Sequence, residues 1–265
     1  MTRRDFVMAA AALPALAQNG SAMNSLTREE KAAGWQLLFD GSSFDGWENP
    51  AQKKPAGDAW AIEDGCLKAT AKPRIIEDLF TKALFRDFEL VFDWKVAPGS
   101  NTGVKYRIQD RVMLVEGKFK KFEDSVDYSM SHPRPDRPAK GHEYVIGFEY
   151  QVIDNSGHAD ARRGPKYQAG ALYDLVGPTR DVTRPVGEFN HSRLVVKGNH
   201  TEHWLNGVKV VDTDLEEAAK GGSRRWGVQS PVYRLLATQP KKECPISLQN
   251  HNDPAWFRNI KMHRL

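Results

Sequence analysis

From Asp87 to Gly99 the chain alternates. Phe88, Leu90, Phe92, Trp94 and Val96 fall on one side, and Glu89, Asp93 and Lys95 on the other. A period of two marks a half-buried strand. "TGVKYRIQ" repeats the device, with Val104, Tyr106 and Ile108 opposite Lys105 and Arg107. "YVIGFEYQVID" follows, and "HSRLVVKGNHTEHWLNGVKVVDTD" reads as three strands with turns at Gly198-Asn199 and Asn206-Gly207. The second turn is the strongest hairpin signal in the chain. "AWAIEDGCLKA" predicts two short strands around Asp64-Gly65, and "ISLQNH" and "WFRNIKMHRL" close the pattern. Helical spacing is confined to "REEKAA", where Thr27 and Glu30 have capping-box spacing, and "DLEEAAKGG". Many short strands, frequent turns and few short helices predict an all-β fold. We expect a two-sheet antiparallel β-sandwich of jelly-roll form, with a polar concave face. Residues 109–141 and 229–245 break the pattern and read as irregular inserts, either lids or solvated decoration.

The first residues say something different. "MTRRDFVMAAAALPALAQ" has a basic start at Arg3 and Arg4, an Ala-rich apolar core from Phe6, and small residues at Ala15 and Ala17. This predicts a signal peptide over residues 1–17, and "TRRDF" reads as the twin-arginine type. A polar leader at 18–33 and a single domain at 34–265 would follow. The expected location is periplasmic. No Cys follows the apolar run, and no later stretch approaches the ~20 apolar residues of a membrane span, so no membrane anchor is expected.

Composition, with 40% hydrophobic and 27% charged residues, is globular. Loss of Arg3, Arg4 and Asp5 would take the net charge from +4 to +3, too mild to suggest a nucleic-acid partner. Cys66 and Cys244 lack the CxxC spacing of a zinc site. Export would permit a disulfide between them, a point sequence leaves open.

The chemistry is carried by polar strand faces. On "FEYQVID", Glu149 and Gln151 share one face while Phe148, Tyr150 and Val152 take the other. Lys105 and Arg107 project together, as do Ser247, Gln249 and His251. Such faces fit a binding groove, or simply the wet side of a sheet. Tyr173, Trp204, Trp226 and Trp256 neighbour Asp174, His203, Gln229 and Asp253. Aromatic rings beside polar groups suit a carbohydrate, although a sandwich core also takes aromatics. Glycosidases of the ordinary kind pair two carboxylates. Here Glu149 is followed on its face by Gln151 and Ile153. His158 and Asp160, with His203 or His251, could hold a divalent metal. Arg258 alternates with Ile260 and Met262 toward the core, where it would need an ion-pair partner. No GxSxG elbow, P-loop or GxGxxG is present.

"GWQLLFDGSSFDGW", "GVKYRI", "FEYQVIDNSGHADA", "AGALYDLV", "PVGEFNHSRLVVKGNHTEHWLNGVKVV" and "LQNHNDPAWFRNIKM" together resemble the 3-keto-disaccharide hydrolase domain family over about residues 34–265. The resemblance implies a concanavalin-like sandwich acting on glycosides oxidised at carbon 3. Where that family more usually has "LQDHGD", this chain has Asn250 and Asn252. A 3-ketone acidifies the carbon 2 proton, so a base, an enolate stabiliser and an acid for the leaving oxygen would suffice. Glu149 or His203 is expected as base, and Arg107, Lys105 or a bound metal as stabiliser. Gln151, Tyr173, Asp174, Trp204, Gln249, His251 and Asp253 are expected to bind substrate or a metal. The alternatives are a non-catalytic lectin-like module, or a conventional glycosidase or lyase.

Overall fold

The computed structural model describes residues 22–50, 58–71, 77–121, 141–238 and 243–265. The expected signal peptide and most of the insert at 109–141 lie outside them. Two antiparallel sheets dominate. The first runs β12 (Val208–Asp214), β11 (His200–Leu205), β10 (Asn190–Lys197), β6 (Phe88–Val96), β14 (Ala255–Arg264), β4 (Cys66–Ala69) and β3 (Trp60–Glu63), with β1 (Gln36–Leu37) also on β14. The second contains β2 (Trp47–Glu48), β5 (Leu79–Thr81), β13 (Ser247–Leu248), β7 (Asn101–Val115), β8 (Lys118–Lys121) and β9 (His142–Ile153). The period-two reading therefore holds, and the architecture is the expected β-sandwich.

The alternating apolar residues meet between the sheets. Phe92 packs edge-on against Tyr150 at 5.5 Å, and Phe257 joins them. A buried polar chain crosses the same layer: Trp94 Nε1 donates to Ser192 Oγ at 2.8 Å, and that hydroxyl is 2.9 Å from the Tyr150 hydroxyl. Buried polar atoms must find such partners, and these fix the register of β6 and β10 over β9. Cys66 and Cys244 are buried thiols rather than a bridged pair.

The two helices expected from sequence form as α1 (Arg28–Ala32), with its Thr27–Glu30 capping box, and α2 (Leu215–Lys220). A third, α3 (Pro231–Thr238), replaces irregular chain within the 229–245 insert. The Ser230 hydroxyl caps it by accepting the Val232 N–H at 3.2 Å, and Pro231 starts it. Val232, Tyr233 and Leu236 are buried on one face.

Two bulges overturn simple alternation. Between Tyr106 and Asp110 the β7–β9 register slips, and Arg107 takes φ +51°. Its side chain leaves the face that Lys105 occupies. On β14 the slip lies between Arg258 and Lys261, with Asn259 at φ +51°. Arg258 is thereby turned away from the core. It stacks on Phe189 and lies 3.7 Å from Asp93. An extra residue reverses every facing beyond it.

Candidate active site

On β7 and β9, Lys105 stands opposite Glu149 and Gly103 opposite Gln151. Their common outward face floors a cavity of about 230 Å³. Gln249 and His251, just after β13, form one wall, and Asp78, before β5, lies beneath. Tyr173 and Trp226 close the sides. Pockets that enclose drug-sized ligands measure about 300–1,000 Å³, so this one suits a single ring-sized group. A larger cavity of about 430 Å³ lies elsewhere, beside Trp94 and Arg184. Two of its acids are already engaged: Asp154 accepts from the Gly99, Ser156 and Gly157 N–H groups, and Asp181 from Thr183 and Asn155. Those bonds hold both carboxyls below the ordinary range despite burial, which is loop architecture rather than reactive chemistry.

Within the smaller cavity the charges are unequal. Lys105 is buried and bonds Asp78 at 3.2 Å. Burial opposes its charge, but Asp78 and Glu149 outweigh burial and push its pKa up. Asp78 also accepts the Asn250 N–H at 3.2 Å and faces the Ser247 hydroxyl at 3.4 Å. Glu149 has no ion-pair partner among the described residues. Burial raises its pKa from 4.5 to about 7, with Lys105 holding it partly down. The Gln151 amide, with its nitrogen turned inward, donates to Glu149 Oε1 at 3.2 Å. A carboxyl that titrates near neutrality inside a cleft is suited to taking and returning a proton.

Glu143 is a second acid on the same strand. Burial raises its pKa to about 7, and it pairs with Arg111 at 3.1 Å. Glu149 lies six positions further along the strand, roughly 20 Å at about 3.3 Å per residue. Paired glycosidase carboxyls stand about 5–10 Å apart, so these two cannot act as such a pair. Asp160 also faces the cavity but is bound by Arg163 at 3.0 Å.

Other expected residues divide sharply. Gln151, Tyr173, Gln249 and His251 line the cavity with Glu149 and Lys105. Asp253 stands behind His251, 3.5 Å from its Nδ1. Asp174 is buried away from the cavity, where it accepts the Tyr167 hydroxyl at 2.5 Å and the Tyr233 hydroxyl at 3.0 Å. It braces the loop that carries Tyr173. Trp204 lies against Arg193 and donates to Glu202 at 2.7 Å, remote from the cavity. Arg107 is turned by its bulge to Asp87 at 3.0 Å and the Gly198 carbonyl at 2.6 Å. His203 is fully buried. Its Nδ1–H donates to the Gly170 carbonyl at 3.0 Å, and Nε2 accepts from the Tyr106 hydroxyl at 2.9 Å. Burial lowers its pKa to about 4, so it is a neutral core histidine. The geometry thus removes His203 and Arg107 from the reacting groups and Trp204 and Asp174 from the substrate contacts.

Asp78, Glu143 and Tyr144 were not anticipated. Asp78 precedes a three-residue strand and carries no local pattern, so its role emerges only from pairing across the sheet. The "QNHND" segment also explains its asparagines. Asn250 is buried and donates through Nδ2 to the Ala59 carbonyl at 2.6 Å, a bond an ionised acid cannot make. Asn252 takes φ +64°, a conformation glycine favours and asparagine tolerates.

His158, His251 and Asp253 bring potential ligand atoms within 4.8 Å of one another. However, His158 Nδ1 accepts the Asp160 N–H at 3.0 Å. The neutral ring then carries its proton on Nε2, which is no metal donor. His203, the other expected ligand, is held in the core.

Residues 34–263 match the family described as 3-keto-alpha-glucoside-1,2-lyase-like domain. Over 256 residues the chain is 30% identical to a 3-keto-disaccharide hydrolase of Bacteroides thetaiotaomicron, covering 91% of this chain and 81% of that protein. A solved candidate glycosyl hydrolase from Parabacteroides distasonis shares the fold, with TM-score 0.65 and 24% identity over 92% of this chain and 100% of that one. A second from the same organism has TM-score 0.59 and 25% identity over 87% and 99%.

Proposed function

The chain belongs to the 3-keto-alpha-glucoside-1,2-lyase-like domain family, and from that premise we propose that it cleaves the glycosidic bond of 3-keto-glycosides by elimination next to the ketone. One observation carries the reading: Glu149 is a carboxyl without an ion-pair partner among the described residues, raised to about 7 by burial, beside the buried Lys105 cation.

Glu149 removes the carbon 2 proton, and the C–H electron pair moves onto the 3-oxygen as an enolate. Lys105 supplies positive charge to that face, inside a site where water does not screen it. The enolate pair then restores the ketone and forms the carbon 1–carbon 2 double bond, while the carbon 1–oxygen bond breaks toward the aglycone. Water adding back across the double bond, hydroxyl to carbon 1 and proton from Glu149 to carbon 2, completes hydrolysis. Gln151 and Gln249 suit sugar hydroxyls, and Tyr173 and Trp226 offer ring faces. None of this needs the two closely spaced carboxyls of ordinary glycosidases.

Several titratable groups converge in a cleft here, which favours an enzyme over a shallow lectin platform. Glu149→Gln is expected to lower kcat/KM on a 3-keto-glucoside by ~10²–10⁴-fold. Export through residues 1–17 belongs to the same proposal and rests on the Arg3-Arg4 pattern. An exported protein whose first residue is not Gln18 or close to it would count against it.

A further inference from the structure

At the rim of the same cavity, the elimination still lacks a group that protonates the departing oxygen. His251 stands there with about half its side chain exposed. Its loop is pinned on both sides: Asn250 is tied to Asp78 and Ala59, and the Asn252 N–H donates to Asn250 Oδ1 at 2.7 Å. Asp253 Oδ2 lies 3.5 Å from His251 Nδ1 and accepts the Asn101 N–H at 3.1 Å. The carboxylate is thus anchored to the start of β7, the strand that bears Lys105. Nδ1 faces Asp253, which leaves Nε2 as the second nitrogen of a ring that lines the cavity. His251 and Glu149 both line this cavity, so they flank one space.

We propose that His251, positioned by Asp253, donates the proton to the leaving oxygen, so that the site tolerates poor leaving groups such as sugar alcohols. This rests on the elimination reading. As the carbon 1–oxygen bond breaks, its electron pair stays on oxygen and takes the proton from Nε2. In the return step His251 accepts a proton from the water that attacks carbon 1, while Glu149 returns its own to carbon 2. Both groups finish as they began, and net hydrolysis consumes one water.

The test compares His251→Gln with the parent on a 3-keto-disaccharide and on a nitrophenyl 3-keto-glucoside, whose leaving group needs no acid. The expected loss is ~10²-fold or more on the disaccharide, with nitrophenyl release nearly retained. Asp253→Asn, a positioning change, should show the same leaving-group bias more weakly. Exchange of the carbon 2 hydrogen of 1,5-anhydro-3-keto-glucitol in deuterium oxide should persist in both variants, since that probe has nothing to expel. Equal losses on the two glycosides would overturn the proposal, as would loss of exchange. A chelator that removes parent activity on the disaccharide but spares nitrophenyl release, with a divalent ion restoring it, would also overturn it, because a metal would then serve the leaving oxygen. If Glu149→Gln keeps the exchange while His251→Gln shows the bias, the base assignment fails and the acid assignment stands.

Discussion

The Glu149 side chain fills the space that a side chain on Gly103 would need. A Cβ at Gly103 would lie 2.8 Å from both Cγ and Cδ of Glu149, closer than unbonded carbons approach. Gly103 sits across from Gln151, two pairs along from Lys105 and on the same face. Glycine at this strand position normally weakens a strand. Here it lets a charged side chain lie flat against the sheet.

Gly103→Ala should therefore displace the carboxyl rather than the backbone. We expect stability within about 1 kcal/mol of the parent, in line with loss of a strand glycine, together with a ~10-fold or greater fall in kcat, since small misplacements of a reacting group are costly. Denaturant melts and steady-state rates on the same preparation check this. A destabilised protein with normal turnover would contradict it.

Lys105 and Asp78 form a buried pair, so removing one partner strands the other. Lys105→Met should cost about 3–5 kcal/mol. Adding Asp78→Asn should restore much of that stability, because no unpaired charge then remains. Turnover should stay low in both variants if the cation serves the enolate. Recovery of turnover in the double variant would assign Lys105 to structure alone.

Burial raises Glu149 to about 7 from 4.5. The reactive form is the carboxylate, so the rate should climb as pH rises through about 7. Stability runs the other way. The folded pKa lies above the unfolded one, so the group's contribution is whole below about 4.5 and is lost as pH rises through about 7. Glu149→Gln escapes that loss. It should match the parent near pH 4 and exceed it by ~1–3 kcal/mol near pH 8. Glu143 imposes its own loss on both proteins, so it cancels in the difference.

His203 is fixed between Gly170 and Tyr106. His203→Ala should lower stability by about 2–4 kcal/mol, through a cavity and two orphaned partners. Turnover per folded molecule should be unchanged. A selective loss of turnover in a stably folded variant would return His203 to the chemistry.

The β-sandwich was legible because its strands keep a period of two and its turns carry Asn-Gly, Asp-Gly and Gly-Asn. The same alternation grouped Glu149 with Gln151 and Gln249 with His251, and all four line one cavity. Alternation failed where a bulge intervened, and so misplaced Arg107 and Arg258. It also could not tell which face of β11 is inward, which is why His203 passed for a solvent-side group. Asp78 had no local signal, because its role comes from cross-sheet pairing with Lys105. The α3 helix carries its signal in Ser230-Pro231 and the spacing of Val232, Tyr233 and Leu236, within a stretch whose Pro and Lys content otherwise marks an irregular insert.

The central claim is that Glu149 removes the proton beside a ketone. The most direct measurement is carbon 2 hydrogen exchange, in deuterium oxide, of a 3-keto-glucoside and its unoxidised parent sugar, with native protein and with Glu149→Gln. Exchange and cleavage of the ketone alone, both lost with Glu149→Gln, is the predicted result. Cleavage of the unoxidised glycoside, or undiminished exchange in Glu149→Gln, would contradict it.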